Sequence, residues 1–137
     1  MTTTVDEMSG WQLADMLLEG VSDDRMIAAT RMLGSHRDGF WLRRLLADEE
    51  LAAMSSIPLI DRTGRHPAIE WDAMELLLLR RPHALTASRS EMAMLEVAMS
   101  LAGGLAVNLG KILCSVDDRD FKLIVRALVD AADCHTA

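Results

Sequence analysis

Apolar side chains recur at three- and four-residue intervals along most of this chain, the spacing of amphipathic helices, and polar, Gly and Pro clusters punctuate them. Ser9 and Gln12 form a capping box for a first helix to about Glu19, with Leu13, Met16 and Leu17 inward and Gly20 as its stop. Ser22, followed by Asp23 and Asp24, opens a second helix that buries Met26, Ile27, Thr30 and Leu33 and ends at Gly34. A third covers Phe40 to Leu46, with Phe40, Trp41 and Leu45 inward and Arg43 and Arg44 in solvent; Asp48-Glu49-Glu50 either continue it or begin another turn. Residues 56–67 have the Gly, Pro and polar density of a long internal loop, and not of a domain linker, because neither flanking half is large enough to bury its own apolar residues.

Pro67 suits the first turn of a fourth helix, which carries Trp71, Met74 and Leu76 to Leu79. That helix is apolar nearly all round, so it is expected to be central or covered, with Pro82 just past its end. Ser88 and Glu91 form a capping box for a fifth helix to Ala102, with Met94, Leu95, Ala98, Leu101 and Ala102 on one face. Gly103-Gly104 either kinks or ends it, with a break favoured, and Asn108 caps a short helix to Cys114. The last helix spans about 117–133 from a capping box of Ser115 and Asp118. Its pattern places Phe121, Ile124, Val125, Leu128 and Ala132 inward, and Lys122, Arg126 and Asp130 outward.

Composition agrees with helix. Half of the 137 residues are hydrophobic, dominated by Leu, Ala and ten Met, with five aromatics and no Tyr. The expected fold is an all-α, compact bundle of five to seven helices forming a single domain over residues 1–137, with residues 1–8 disordered or loosely attached. The net charge of −7 opposes generic attraction to nucleic acid, but residues 22–89 balance ten Arg against ten acids, so any basic patch belongs there. Two cysteines do not make a disulfide framework, the N-terminus lacks the basic start and apolar run of a signal peptide, and Val97 to Gly110 is too short to span a bilayer. The chain is therefore expected to be cytoplasmic and free of membrane.

Phe40-Trp41-Leu42-Arg43-Arg44, Ile69-Glu70-Trp71, Ser88-Arg89-Ser90-Glu91 leading to Ser100-Leu101-Ala102, Val107-Asn108-Leu109 and Val116-Asp117-Asp118-Arg119 follow one another across residues 36–133. In this order they resemble a set of small actinobacterial and phage-related proteins of unknown function. The resemblance implies a helical, cytoplasmic bacterial protein and carries no activity or catalytic residue with it.

The candidate chemistry is sparse. Thr30, Leu33 and Gly34 loosely match the turn of a helix-turn-helix, with His36, Arg37, Arg43 and Arg44 beyond it as phosphate contacts. Arg80, Arg81, His83 and Arg89 make a second basic group, which Arg62, Arg65 and His66 would join if the loop folds back; Arg80 and Arg81 equally suit a helix C-terminus. His36 with Asp38, and His66 with Asp61, are candidate acid-base pairs without a nucleophile. Neither a metal-ligand motif nor a phosphate loop is present; Cys114 with Cys134 and His135 would meet only by tertiary accident. Asp117-Asp118-Arg119-Asp120 lacks calcium-loop spacing and fits a helix start.

Ala98, Ala102, Ala106 and Gly110 recur at spacing four, a candidate self-association seam if one helix carries them all. By elimination, the sequence predicts a non-catalytic interaction or regulatory module, self-associating through helix surfaces, with no cofactor and no catalytic or metal residues. The first alternative is a nucleic-acid-associated accessory protein using Arg37, Arg43, Arg44, Arg80, Arg81 and Arg89. The second is a small-ligand binder or an enzyme with no recognisable motif, using a pocket near Trp41, Trp71 and His66.

Overall fold

A computed structural model describes residues 5–132. Among them are eight α-helices: α1 (Gly10–Leu17), α2 (Asp24–Ser35), α3 (Phe40–Ala47), α4 (Glu49–Met54), α5 (Trp71–Arg80), α6 (Arg89–Gly103), α7 (Leu109–Ser115) and α8 (Asp118–Ala132). They form a mostly helical single domain, with one helix more than expected. The extra helix arises at Asp48, whose backbone leaves the helical region and whose Oδ1 accepts the Leu51 N–H, so the residue that closes α3 also caps α4. Inside the expected loop, β1 (Ile60–Asp61) pairs antiparallel with β2 (Ala68–Ile69), Ile60 opposite Ile69 and Asp61 opposite Ala68. Pro67 therefore precedes a strand, and α5 begins only at Trp71.

Local capping sets most helix starts. Two of the three expected capping boxes form, Ser9 with Gln12 on α1 and Ser88 with Glu91 on α6, and Asn108 Oδ1 accepts the Lys111 N–H at the head of α7. Carboxylates replace the expected hydroxyls at two others. Asp23, not Ser22, accepts the N–H groups of Arg25 and Met26 ahead of α2, and Asp117 Oδ1 accepts the Asp120 N–H in the first turn of α8. Ser115 instead donates its hydroxyl to the Lys111 carbonyl at the end of α7. Gly104, at φ +79, ends α6, so the glycine pair breaks the helix.

The core lies around α2 and α6. Ala93, Met94, Leu95, Val97, Ala98 and Met99 of α6 are all buried, which makes α6, not α5, the helix covered nearly all round. On α5, Trp71, Met74 and Leu77 face inward and Leu79 is exposed, because that helix packs on α6 and the 82–85 turn from one side only. Gly34 lies inside α2 as the point where α1 crosses it, and does not end the helix. A Cβ on Gly10 would overlap the Gly34 carbonyl oxygen and come within 2.7 Å of the Gly39 nitrogen; one on Gly34 would sit 2.8 Å from the Ala14 Cβ. Small residues at the crossing thus set the distance between α1 and α2.

The last helix differs most from its expected orientation. Asp120, Ile124, Ala127 and Ala131 face α2 and α6, while Phe121, Val125, Leu128 and Ala132 point outward. At 100° per residue, α8 is turned by roughly a quarter of a revolution from the centre of its apolar arc. The small Ala127 and Ala131 let its axis approach α2, which bulkier side chains would hold away.

The Gly10/Gly34 crossing generates a direct prediction. Gly10→Ala must displace backbone and should destabilise the protein by about 3 kcal/mol in urea unfolding. Gly104→Ala meets open space and loses only the left-handed preference, about 1 kcal/mol.

Candidate functional site

Arg37, Arg43 and Arg44 occupy the turn after α2 and the helix that follows it. Residues 37, 38 and 39 are consecutively left-handed, at φ 48, 53 and 81, and only the last is glycine. Two non-glycine residues in that region cost on the order of 1–3 kcal/mol each and persist only where surrounding contacts hold them. Asp38 Oδ1 accepts the Gly10 N–H at 2.8 Å, and the Arg43 guanidinium donates to the Asp38 carbonyl and to Asp38 Oδ2. Arg43 also reaches the carbonyls of Val5 and Met8, at 2.9 and 2.6 Å, so residues 5–8 are tied to α3 and not loose. Residues 1–4 lie outside the described residues.

Arg44 is similarly engaged. It donates to the carbonyls of Ala84 and Thr86, pairs with Asp48 and stacks its guanidinium over the Trp41 ring. Both arginines are half-buried, contrary to the solvent face expected for them. Arg37 reaches Glu91 Oε2 at 2.8 Å and the Ser90 hydroxyl. Burial works against the charge on Glu91, but the Ser88 N–H and hydroxyl and the Arg37 guanidinium outweigh it and hold its carboxyl below the usual carboxylate range. The Glu91 carbonyl accepts the Trp41 indole N–H at 2.7 Å. Trp41 is completely buried, so α3 presents a core plug and not a groove-reading face.

The second basic group is differently placed. Arg80 and Arg81 are exposed, make no side-chain hydrogen bond or ion pair among the described residues, and line an open cleft of about 350 Å³ with Met54, Ser55 and Ser56. That cleft lies at the C-terminal ends of α4 and α5, whose carbonyl-rich ends favour cations and repel anions. Arg89 is separate, in a second cleft with Glu96 and Lys111. The six arginines do not form one face.

The remaining candidates separate as well. His36 is buried, whereas Asp38 is exposed and committed to Gly10 and Arg43. Asp61 accepts from the Thr63 N–H and hydroxyl, and His66 is exposed on the loop, while Trp41 and Trp71 are packed in the core. Cys114 is exposed; Cys134 and His135 lie outside the described residues. Ala98 is buried in α6, Ala102 lies in its last turn, Ala106 follows the break and Gly110 belongs to α7, so no single helix carries the four. No helix among the described residues is long and apolar enough to cross a membrane.

The feature that residue-by-residue chemistry missed is the outer face of α8. Phe121, Val125, Leu128 and Val129 are 41, 41, 47 and 50% exposed and recur at helical spacing on one side. Lys122 pairs with Asp118 at 3.1 Å and Arg126 with Asp130 at 3.2 Å, so the polar residues beside the stripe neutralise each other within the helix. The chain matches no protein-family model, no curated protein and no solved structure.

These contacts divide the arginines by their effect on folding. Arg43→Ala removes a donor from three backbone carbonyls, of which Val5 keeps the Met8 N–H, and should lower unfolding free energy by about 2–3 kcal/mol, with Arg43→Lys recovering only part. Arg80→Ala and Arg81→Ala should stay within about 0.5 kcal/mol of the parent in the same denaturant titration.

Proposed function

We propose that this protein is a non-catalytic interaction module that self-associates through the outer face of α8. The observation that carries this reading is the stripe of Phe121, Val125, Leu128 and Val129, four large apolar side chains left half-exposed by one helix. A two-fold axis near Val125 would bring Phe121 of one copy opposite Val129 of the other, which makes the stripe self-complementary. Its flanking charges are already paired within the helix, so closing the contact strands none of them.

Magnitude sets the kind of dimer. Burying the exposed half of each side chain is worth about 1 kcal/mol, hence roughly 8 kcal/mol over two copies. Loss of translational and rotational freedom takes back about 4 kcal/mol or more. The balance supports a weak, concentration-dependent dimer, not a permanent one. A nucleic-acid role has less support, because Arg37, Arg43 and Arg44 already serve the fold.

Sedimentation over a range from micromolar to hundreds of micromolar tests the reading. The parent should move from monomer toward dimer as concentration rises, and Leu128→Lys should remain monomeric with unchanged unfolding free energy. A parent that stays monomeric throughout, or a Leu128→Lys variant that dimerises equally, refutes it.

A further inference from the structure

The inner face of α8 carries a feature of a different kind. His36, at the C-terminal end of α2, is completely buried, and neither of its ring nitrogens has a hydrogen-bond partner among the described residues. Across the α2–α8 contact stands Asp120, 4% exposed, whose Oδ2 is likewise without a partner. The His36 Nε2 and Asp120 Oδ2 are 3.7 Å apart, too far for a hydrogen bond. Unsatisfied buried polar atoms are rare in folded proteins, and here three meet at one helix contact.

We propose that His36 and Asp120 form a proton-operated latch, in which protonation of His36 releases α8 from α2. A protonated imidazole in this site would be a desolvated charge with one carboxylate within 4 Å, Asp120 at 3.7 Å, and no hydrogen bond to it, an arrangement in which desolvation outweighs attraction. The charged groups around it are mixed. Asp120 on α8, Glu91 on α6 and Asp117 ahead of α8 favour the charged ring, and Arg37 beside it opposes. Asp38 is turned away, onto Gly10 and Arg43. Burial is the largest influence and holds the imidazole below its ordinary value of 6.5, partly offset by Asp120.

The sign follows from linkage. With the folded-state value depressed, the latch is fully closed above pH 6.5 and weakens as pH falls from 6.5 to that lower value, where the effect levels off. Release restores water to both side chains. Because α8 is the last described helix and packs mainly on α2, it can open while α6 and the rest of the core stay in place. The latch concerns the inner face of α8 and does not depend on self-association through the outer one.

Hydrogen exchange of backbone amides between pH 7.5 and 5, corrected for the intrinsic rate and kept below dimerising concentrations, tests it together with the ring titration of His36 by NMR. Protection of α8 should fall by up to tenfold per pH unit within the window, with α6 as the unchanged reference, and His36 should titrate below 6.5. His36→Met should abolish that dependence. Asp120→Asn should shift the ring titration lower still. The latch is refuted if the parent's His36 titrates at or above 6.5, if α8 protection is flat or rises on acidification, or if His36→Met keeps the same dependence. Both parent measurements decide the matter even if a variant does not fold.

Discussion

Glu91 is the residue on which three separate parts of the structure converge. Its side chain closes the capping box of α6 and accepts the Arg37 guanidinium, while its carbonyl receives the indole N–H of the fully buried Trp41. One residue thereby starts the central helix, anchors the strained turn after α2 and orients the largest fully buried side chain. Truncating its side chain would unpair the Ser88 N–H and the Arg37 guanidinium together in a part-buried setting, where each unmade hydrogen bond to a charge costs about 1.5–3 kcal/mol. Side-chain contacts hold residues 37–39 left-handed from two sides, Arg37 on Glu91 and Asp38 on Gly10 and Arg43.

That convergence changes the meaning of the basic residues. In sequence, Arg37, Arg43 and Arg44 look like an electropositive helix face; in the fold they act as multidentate donors to backbone carbonyls and carboxylates brought from residues 5–8, 84–86 and 91. Guanidinium suits this work, since its fixed fork of donors satisfies several acceptors at one ordering cost. The outer face of α8, by contrast, keeps large apolar side chains half-exposed.

How much of this was legible depended on the range of each interaction. The capping boxes at Ser9 and Ser88, and the break after Gly103, rest on contacts within a few residues and could be read directly. Gly34 could not, because its meaning comes from Gly10, twenty-four positions earlier, and the same glycine in isolation resembles a helix stop. The acceptors of Arg43 and Arg44 are carbonyls about forty positions away, which leave no mark on side-chain patterning. On α8 the apolar arc is so wide that several orientations would bury apolar surface; the small Ala127 and Ala131 decided among them, and a pattern weighted by hydrophobicity points to Phe121 and Leu128 instead.

Chain folding engages Arg37, Arg43, Arg44 and Glu91 around α2, α3 and α6, whereas the outer face of α8, left apolar and half-exposed, is the surface proposed to self-associate. Amide spectra recorded along a dilution series report this residue by residue. The account predicts concentration-dependent shifts or broadening centred on Phe121, Val125, Leu128 and Val129, with Arg37, Arg43 and Arg44 unaffected. Spectra that do not change with concentration, or changes centred on the Arg80 and Arg81 cleft, would contradict it.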